Sequence, residues 1–312
     1  MGDESQRWTL TFRAMVERFA GELRASIASA KADSILLSGG LDTSAIAAFA
    51  RECASALRLP HDLSLWSLDE LLSYAPATVR AIRSFDPMQI RNGITIYVAL
   101  LRAKALGATT VLTGDGADEM YAGYSHMWGM PPETLSPYLR HMASIMSFTT
   151  PALAAAVGLE TVSPFTTRPL IDLALELPHA AFIGERDGRK MGKWIVRKAV
   201  EDLLPASLVW RVKTPIEYGS GSTFLGPLLA GRISDAELEG AQADYLQRDG
   251  VRLREKEQLH YYRSFREIFG PVSAASAGPG DCPYCGTVID PPDRNYCGVC
   301  GAWGFAARPS VR

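Results

Sequence analysis

The segment Ile35–Ser44, ILLSGGLDTS, restricts the fold more than any other part of the chain. An apolar run ends in a Ser-Gly-Gly turn, and the Ala- and Ile-rich stretch from Asp42 to about Leu57 reads as a helix. The design recurs at Val111–Glu119, VLTGDGADE, behind the β-branched run Thr109–Thr113. Each segment reads as a buried strand feeding a glycine turn that carries carboxylates. Two such turns predict an α/β fold with a parallel sheet, in which loops at the strands' carboxyl ends converge on one crevice.

The residue types in those turns suit a polyphosphate. Gly39 and Gly40 let the backbone come close to an anion. The helix that follows points unpaired N–H groups and its positive dipole end into the same space. Ser38, Thr43 and Ser44 add hydroxyl donors. Asp42 would repel phosphate unless a cation lay between them, and Asp118 on the second loop can ligate that cation. Oxygen ligands with phosphates suit Mg²⁺, which typically takes one or two carboxylates and keeps several waters. A capping Asp or Ser in a tight turn accounts for one such loop, but local turn chemistry does not ask for two.

Bulk properties narrow the classes. The 312 residues carry a net charge of −2, so no general basic field points to nucleic acid or an anionic membrane. No apolar run reaches the roughly 18 residues of a membrane helix. The start of the chain lacks the basic-then-apolar layout of a signal peptide, which predicts a cytoplasmic protein. A chain of this length can bury a large core.

Periodicity predicts helices over Trp8–Ala30, residues 90–106 (closed by Gly107), Met142–Val157, Pro169–Leu177, Lys190–Leu204 and Arg252–Phe269, with short helices over 67–84 broken near Pro76. The expected strands are Ser34–Leu37 and Thr109–Thr113. The fold expected is thus an α/β domain with a helical extension over residues 1–270. Residues 271–280, PVSAASAGPG, read as a linker, and 281–312 as a small cysteine module.

Cys53 stands alone, whereas Cys282-x-x-Cys285 and Cys297-x-x-Cys300 form two knuckles, each followed by glycine (Gly286, Gly301). Four thiolates at this spacing suit tetrahedral Zn²⁺ in a closed, structural site. A module of about thirty residues has little core of its own and is expected to need the metal to fold. Nothing nearby resembles a thioredoxin unit, so a redox pair is disfavoured. The module would offer a docking surface for a protein, a carrier or RNA.

Beyond these local arguments, SGGLDTS (Ser38–Ser44) resembles the pyrophosphatase loop of the N-type ATP pyrophosphatases. GDGADEMYAGY (Gly114–Tyr124) resembles the signature of the asparagine synthetase synthetase domain. The likeness continues through SPF (Ser163–Phe165), LALELP (Leu173–Pro178) and Gly188–Gly221, and spans roughly residues 10–270. It implies the adenine nucleotide alpha hydrolase-like sheet and an AMP-forming amide ligase. A substrate carboxylate attacks the α-phosphate of ATP, pyrophosphate leaves, and ammonia displaces AMP. By motif position, Ser38, Gly39, Gly40, Asp42, Thr43 and Ser44 would bind pyrophosphate and its Mg²⁺. Gly114 would lie by the nucleotide, and Asp115 takes the place of a family Glu in the active site. Asp118 would be the second metal carboxylate. Lys213 matches the lysine that neutralises the leaving pyrophosphate, where charge accumulates in the transition state. Lys190 and Arg197 are weaker candidates, because Arg189, Lys190, Lys193, Arg197 and Lys198 read as one solvated helix face. Glu119 is read as support for the following helix, and Tyr121 and Tyr124 as packing residues or substrate contacts. His126 and His141 receive no role.

Three departures shape the expectation. Residue 2 is Gly where the glutaminase domain of the family begins with a nucleophilic Cys, so nitrogen is expected from ammonia, another amine or a separate glutaminase. After the first helix the family has a further strand and helix, and roughly one βα unit is missing here, which predicts a gap in the sheet or a changed strand order. At the substrate side the family pattern Arg-x-Pro-Phe-Leu-Asp reads Val162-Ser-Pro-Phe-Thr-Thr167, so the acyl donor is left as a carboxylate rather than aspartate. Two other readings compete with the ligase. One is a degenerate nucleotide-binding adaptor. The other is an adenylating enzyme that reaches a tRNA or carrier protein through the zinc ribbon, with Arg294, Arg308 and Arg312 making the tail mildly cationic.

Overall fold

The computed structural model describes residues 2–38, 40–53, 62–272, 281–289 and 294–304. Its contacts divide the chain into two compact units, one of residues 1–62, 103–148 and 158–214, the other of 63–102, 149–157 and 215–312.

The first unit is built on a parallel sheet of three short strands, β1 (Ser34–Ile35), β2 (Thr110–Leu112) and β3 (Glu160–Val162), in the order β1-β2-β3. Backbone bonds from Leu36 to Leu112 (3.0 Å) and from Thr113 to Val162 (3.0 Å) extend the pairing towards the carboxyl ends. At the other end the Asp33 carboxylate accepts from the Thr109 N–H (2.9 Å) and hydroxyl (2.6 Å), which fixes the register of β1 on β2. The expected strands are therefore present and parallel. The third, β3, escaped the sequence reading because its three residues begin with an exposed Glu160.

β1 pairs directly with β2, so the described sheet has no internal gap. β1 lies at the sheet edge among the described residues. Residues 54–61 lie outside them, and 62–67 form no strand.

Helix α1 (Gly2–Ser29) lays Phe19, Leu23 and Ile27 onto α2 (Leu41–Cys53), where Ile46 and Phe49 are fully buried. Tyr121 closes this core. Its ring meets Phe19 and Phe165 edge-on at 5.2 and 6.0 Å, and its hydroxyl donates to the Leu170 carbonyl at 2.9 Å. A buried Tyr with a satisfied hydroxyl is a packing residue, which decides between the two readings of Tyr121.

Two predicted helices are corrected. The stretch Met142–Val157 is split into helices Pro132–Ile145 and Thr150–Val157, which belong to different units. Met146 is extended, and Pro151 sits in the first turn of the second helix, where its missing N–H costs nothing. The stretch Lys190–Leu204 begins as a hairpin, β4 (Gly184–Arg186) with β5 (Arg189–Met191), before a short helix Trp194–Ala199. Asp187 and Gly188 form its two-residue turn with φ of 51° and 73°, the pair of positive φ values that a type I′ turn requires.

The second unit is helical, with helices Leu68–Ser73, Ala75–Ile82, Leu225–Arg232, Asp235–Asp249 and Lys256–Phe269 among its members. Phe85 lies at its centre, edge-on to Tyr262 (4.9 Å) and Phe265 (5.3 Å). The four knuckle cysteines, Ile289 and Ala302 belong to this same buried cluster. The cysteine knuckles thus have apolar partners beyond their own residues. Of the expected linker, residues 273–280 fall outside the described set. No described helix is long and apolar enough to cross a membrane.

Candidate active site and metal centre

The loop from β1 into α2 folds its hydroxyls onto its own backbone. The Ser38 N–H donates to Thr43 Oγ1 (3.2 Å), the two hydroxyls lie 3.1 Å apart, and the Gly40 N–H donates to Ser38 Oγ (3.3 Å). Thr43 and Ser44 are buried in the first turn of α2, beside Asp42. Gly39 lies outside the described residues. The loop after β2 presses against this turn. A Cβ on Gly114 would come within 3.1 Å of the Thr43 methyl and 3.2 Å of Asp42 Cβ, so the two loops are closely packed here. Gly116 (φ 86°) then turns the chain into the short helix Ala117–Met120, which carries Asp118. Ser163, following β3, donates its hydroxyl to the Asp115 carbonyl, so all three carboxyl-end loops meet. The Asp115 carboxylate accepts from the Thr113 hydroxyl at 3.1 Å.

Asp42 and Asp118 meet on one ammonium group, that of Lys193. Its Nζ lies 2.6 and 2.5 Å from the two Asp42 oxygens and 2.7 Å from Asp118 Oδ1. Lys213 pairs with the remaining oxygen, Asp118 Oδ2. The Lys193 side chain is only 5% exposed, which overturns its reading as part of a solvated face. Arg197 is buried as well, donating from Nε to the Gly192 carbonyl (2.9 Å) and from Nη1 to the carbonyls of Val209 and Arg211. Lys190 is exposed on β5 and takes no part in this cluster. Lys193 itself was missed as a site residue. The helix period assigned it to the surface, whereas the chain at Lys193 is left-handed (φ 55°, ψ 37°). That conformation costs a non-glycine residue about 1–2 kcal/mol, and such outliers cluster at functional sites.

The charges reinforce one another. Burial alone would push the Asp118 carboxyl up, and the Lys193 and Lys213 ammoniums outweigh it, holding Asp118 below the ordinary aspartate range. Burial alone would lower Lys193, and Asp42 and Asp118 outweigh it, raising the lysine above its usual value. Asp42 moves up. Burial outweighs the attraction of Lys193, and the neighbouring Asp118 carboxylate adds to it, because two carboxylates side by side resist joint ionisation.

An aromatic group flanks Lys213. Its Nζ lies 5.0 Å from the Tyr124 ring centroid, the Tyr124 hydroxyl donates to Glu119 Oε1 (2.5 Å), and the His126 ring stacks on Tyr124 at 5.7 Å. Tyr124 and Glu119 therefore touch the charged cluster, whereas Tyr121 belongs to the core. His126 also contacts the Tyr138 hydroxyl at 3.2 Å, and in this place the ring serves packing.

The cysteine centre lies in the second unit. All four Sγ atoms fall within 4.8 Å of one another, with Cys282–Cys300 at 3.5 Å and Cys285–Cys297 at 3.7 Å. Tetrahedral zinc with Zn–S bonds of about 2.3 Å sets its sulfurs about 3.8 Å apart, whereas a disulfide needs about 2.05 Å. The donor set and spacing fit zinc in a ribbon of two equivalent knuckles. In each, the glycine N–H returns to the first Cys carbonyl, Gly286 to Cys282 (2.8 Å) and Gly301 to Cys297 (2.9 Å), with φ of 70° and 73°. The second knuckle is tied to neighbouring helices through its carbonyls. Phe85 N–H (2.7 Å) and the Ser84 hydroxyl (3.0 Å) donate to Val299, and Arg254 (2.8 Å) and Gln258 (2.7 Å) donate to Cys300.

Gly123 is the tightest fit around the ion pairs, since a Cβ there would collide with Asp118 Oδ1 and with Lys193 Cε. Gly123→Ala is expected to destabilise the chain by about 1–3 kcal/mol through overpacking, measured by urea denaturation. A variant as stable as the parent would mean that the carboxylate and the lysine stem are not packed against this glycine.

A family model described as Asparagine synthase matches residues 47–152 and 140–272. Among curated relatives, asparagine synthetase B [glutamine-hydrolyzing] of Escherichia coli (strain K12) is 28% identical over 240 residues, 74% of this chain and 42% of that protein. A probable asparagine synthetase [glutamine-hydrolyzing] of Dictyostelium discoideum is 25% identical over 262 residues, 78% and 46% of the two chains. Asparagine synthetase [glutamine-hydrolyzing] 2 of Lotus japonicus is 25% identical over 72% of this chain and 40% of its own. The chain spans under half the length of these relatives. Because the family match covers well over half of its residues, the chain belongs to the asparagine synthase family.

Proposed function

We propose that the chain is an ATP-dependent, AMP-forming carbon–nitrogen ligase. A substrate carboxylate oxygen attacks the α-phosphorus, the bond to the pyrophosphate oxygen breaks, and ammonia or an amine then displaces AMP from the acyl-adenylate to give an amide. The observation that carries this reading is the meeting of Asp42 and Asp118, from separate loops, on one cation-sized position, held by the Lys193 ammonium with Lys213 beside it. The relatives' names support the reaction class.

Each residue has a role in this proposal. Asp42 and Asp118 would hold Mg²⁺, which supplies charge neutralisation for the β- and γ-phosphates when bound. Ser38, Gly39, Gly40, Thr43 and Ser44 bind the pyrophosphate portion through hydroxyls and helix-end N–H groups. Gly114 lets the second loop approach the nucleotide. Lys213 stabilises charge on the departing pyrophosphate, and Asp115 lines the active site next to Ser163. Thr166 and Thr167 turn their hydroxyls onto the carbonyls of Ser163 (3.0 Å) and Pro164 (2.8 Å). Val162 and Thr167 stand where the family pattern has Arg and Asp, so the acyl donor is proposed as a carboxylate without commitment to aspartate. Nitrogen arrives as free ammonia or an amine, or from a separate glutaminase. The cysteine centre holds structural zinc.

Pyrophosphate–ATP exchange with a panel of carboxylates tests the ligase. One or more acids should support exchange, and Asp42→Ala and Asp118→Ala should each lower it by about 10²-fold or more with the fold retained by circular dichroism. A folded chain that exchanges with none of the acids would favour the adaptor reading, and an active aspartate variant would remove the metal assignment.

Elemental analysis of the purified chain should find about one zinc per molecule. Cys285→Ser should lose that zinc and lower the melting temperature. A zinc-free chain with unchanged melting would contradict a structural metal.

A further inference from the structure

We infer that Lys193 is a resident counter-cation that makes metal binding conditional on nucleotide. The inference rests on the proposed metal site at Asp42 and Asp118. Three carboxylate oxygens from two loops lie within 2.7 Å of the Lys193 Nζ, which occupies the space between the carboxylates. The lysine is held there by more than attraction. Its N–H donates to the Tyr121 carbonyl (2.9 Å), its backbone is left-handed, and its stem runs against Gly123.

The charge count gives this position its consequence. Two carboxylates face two ammonium groups, Lys193 and Lys213, and the buried Arg197 guanidinium lies close enough to feel both carboxylates. Arg197 is tied to backbone carbonyls. The cluster is therefore already compensated without an added ion. A divalent cation arriving alone must displace a buried ammonium that has no other partner among the described residues, and it adds positive charge beside Lys213 and Arg197. A polyphosphate arriving with the metal supplies the missing partner, because the displaced Lys193 can transfer its hydrogen bonds to phosphate oxygens. Metal and nucleotide are then taken up together, and neither carboxylate is left uncompensated between turnovers. The strained backbone at Lys193 follows from the same need, since it aims a helix-capping residue into the site rather than away from it.

Mn²⁺ binding to the full, zinc-loaded chain, followed by electron paramagnetic resonance, tests this directly. The parent should bind Mn²⁺ weakly alone and at least about tenfold more tightly with a non-hydrolysable ATP analogue. Lys193→Met, which keeps the stem and removes the charge, should bind Mn²⁺ without nucleotide at least about tenfold more tightly than the parent. Lys193→Arg should retain the parent's dependence on nucleotide. Should Lys193→Met fail to fold, the parent still decides the matter, because equal Mn²⁺ affinity with and without the analogue overturns the inference while leaving the metal site standing. Absence of Mn²⁺ binding even with the analogue overturns the metal site and the inference together. A folded Lys193→Met that binds Mn²⁺ no better than the parent also overturns the inference.

Discussion

The ionic contact of Asp42 and Asp118 with the Lys193 ammonium is the constraint on which the site depends. Three segments far apart in sequence must be placed within hydrogen-bond distance for it to form: the first turn of α2, the glycine loop after β2 and the residue that starts the Trp194–Ala199 helix. Glycine makes the approach feasible where Gly123 meets the ion pair, and Gly114 packs closely on Thr43. Removing Lys193 would leave the buried Asp42 carboxylate without its ammonium partner, a loss that typically costs about 3–5 kcal/mol, whereas loss of either aspartate leaves Lys193 paired with the other.

The second unit solves a different problem with a different device. Its knuckles expose carbonyls, and those of Val299 and Cys300 would be orphaned without the donors from Ser84, Phe85, Arg254 and Gln258. The cysteines are buried in the same cluster as Phe85, Tyr262 and Phe265. Metal affinity and helix packing would thereby be linked: thiolates already brought together by a packed core would lose less freedom on binding a zinc ion.

The parts of this molecule that were legible in sequence are those where backbone chemistry leaves a composition mark. SGGLDTS and GDGADE announce strand-to-helix turns through glycine and hydroxyl residues, and the two Cys-x-x-Cys-Gly units announce their own geometry. Periodicity located α1 and α2 because each buries a single apolar stripe. Lys193 was not legible. Its helical spacing with Arg189, Lys190 and Arg197 imitates a solvated face, and only the tertiary fold reveals that the chain there is a hairpin followed by a left-handed residue. A signal for that break was present in Asp187-Gly188, a dipeptide favoured in type I′ turns, but the surrounding helical pattern outweighed it. β3 left no such mark, being defined by its partner β2 rather than by its own residues. The strand order β1-β2-β3 was also beyond sequence reasoning, because strand order is a property of pairing.

The central claim is that the two carboxylates share one divalent metal once nucleotide is present. A crystal of the chain grown with Mn²⁺ and a non-hydrolysable ATP analogue, with anomalous data at the manganese edge, examines it most directly. The account predicts one peak in coordinating contact with both Asp42 and Asp118 and with phosphate oxygens, and the Lys193 ammonium moved onto phosphate. Nucleotide bound with Lys193 still bridging the two carboxylates, and manganese absent from them, would contradict it.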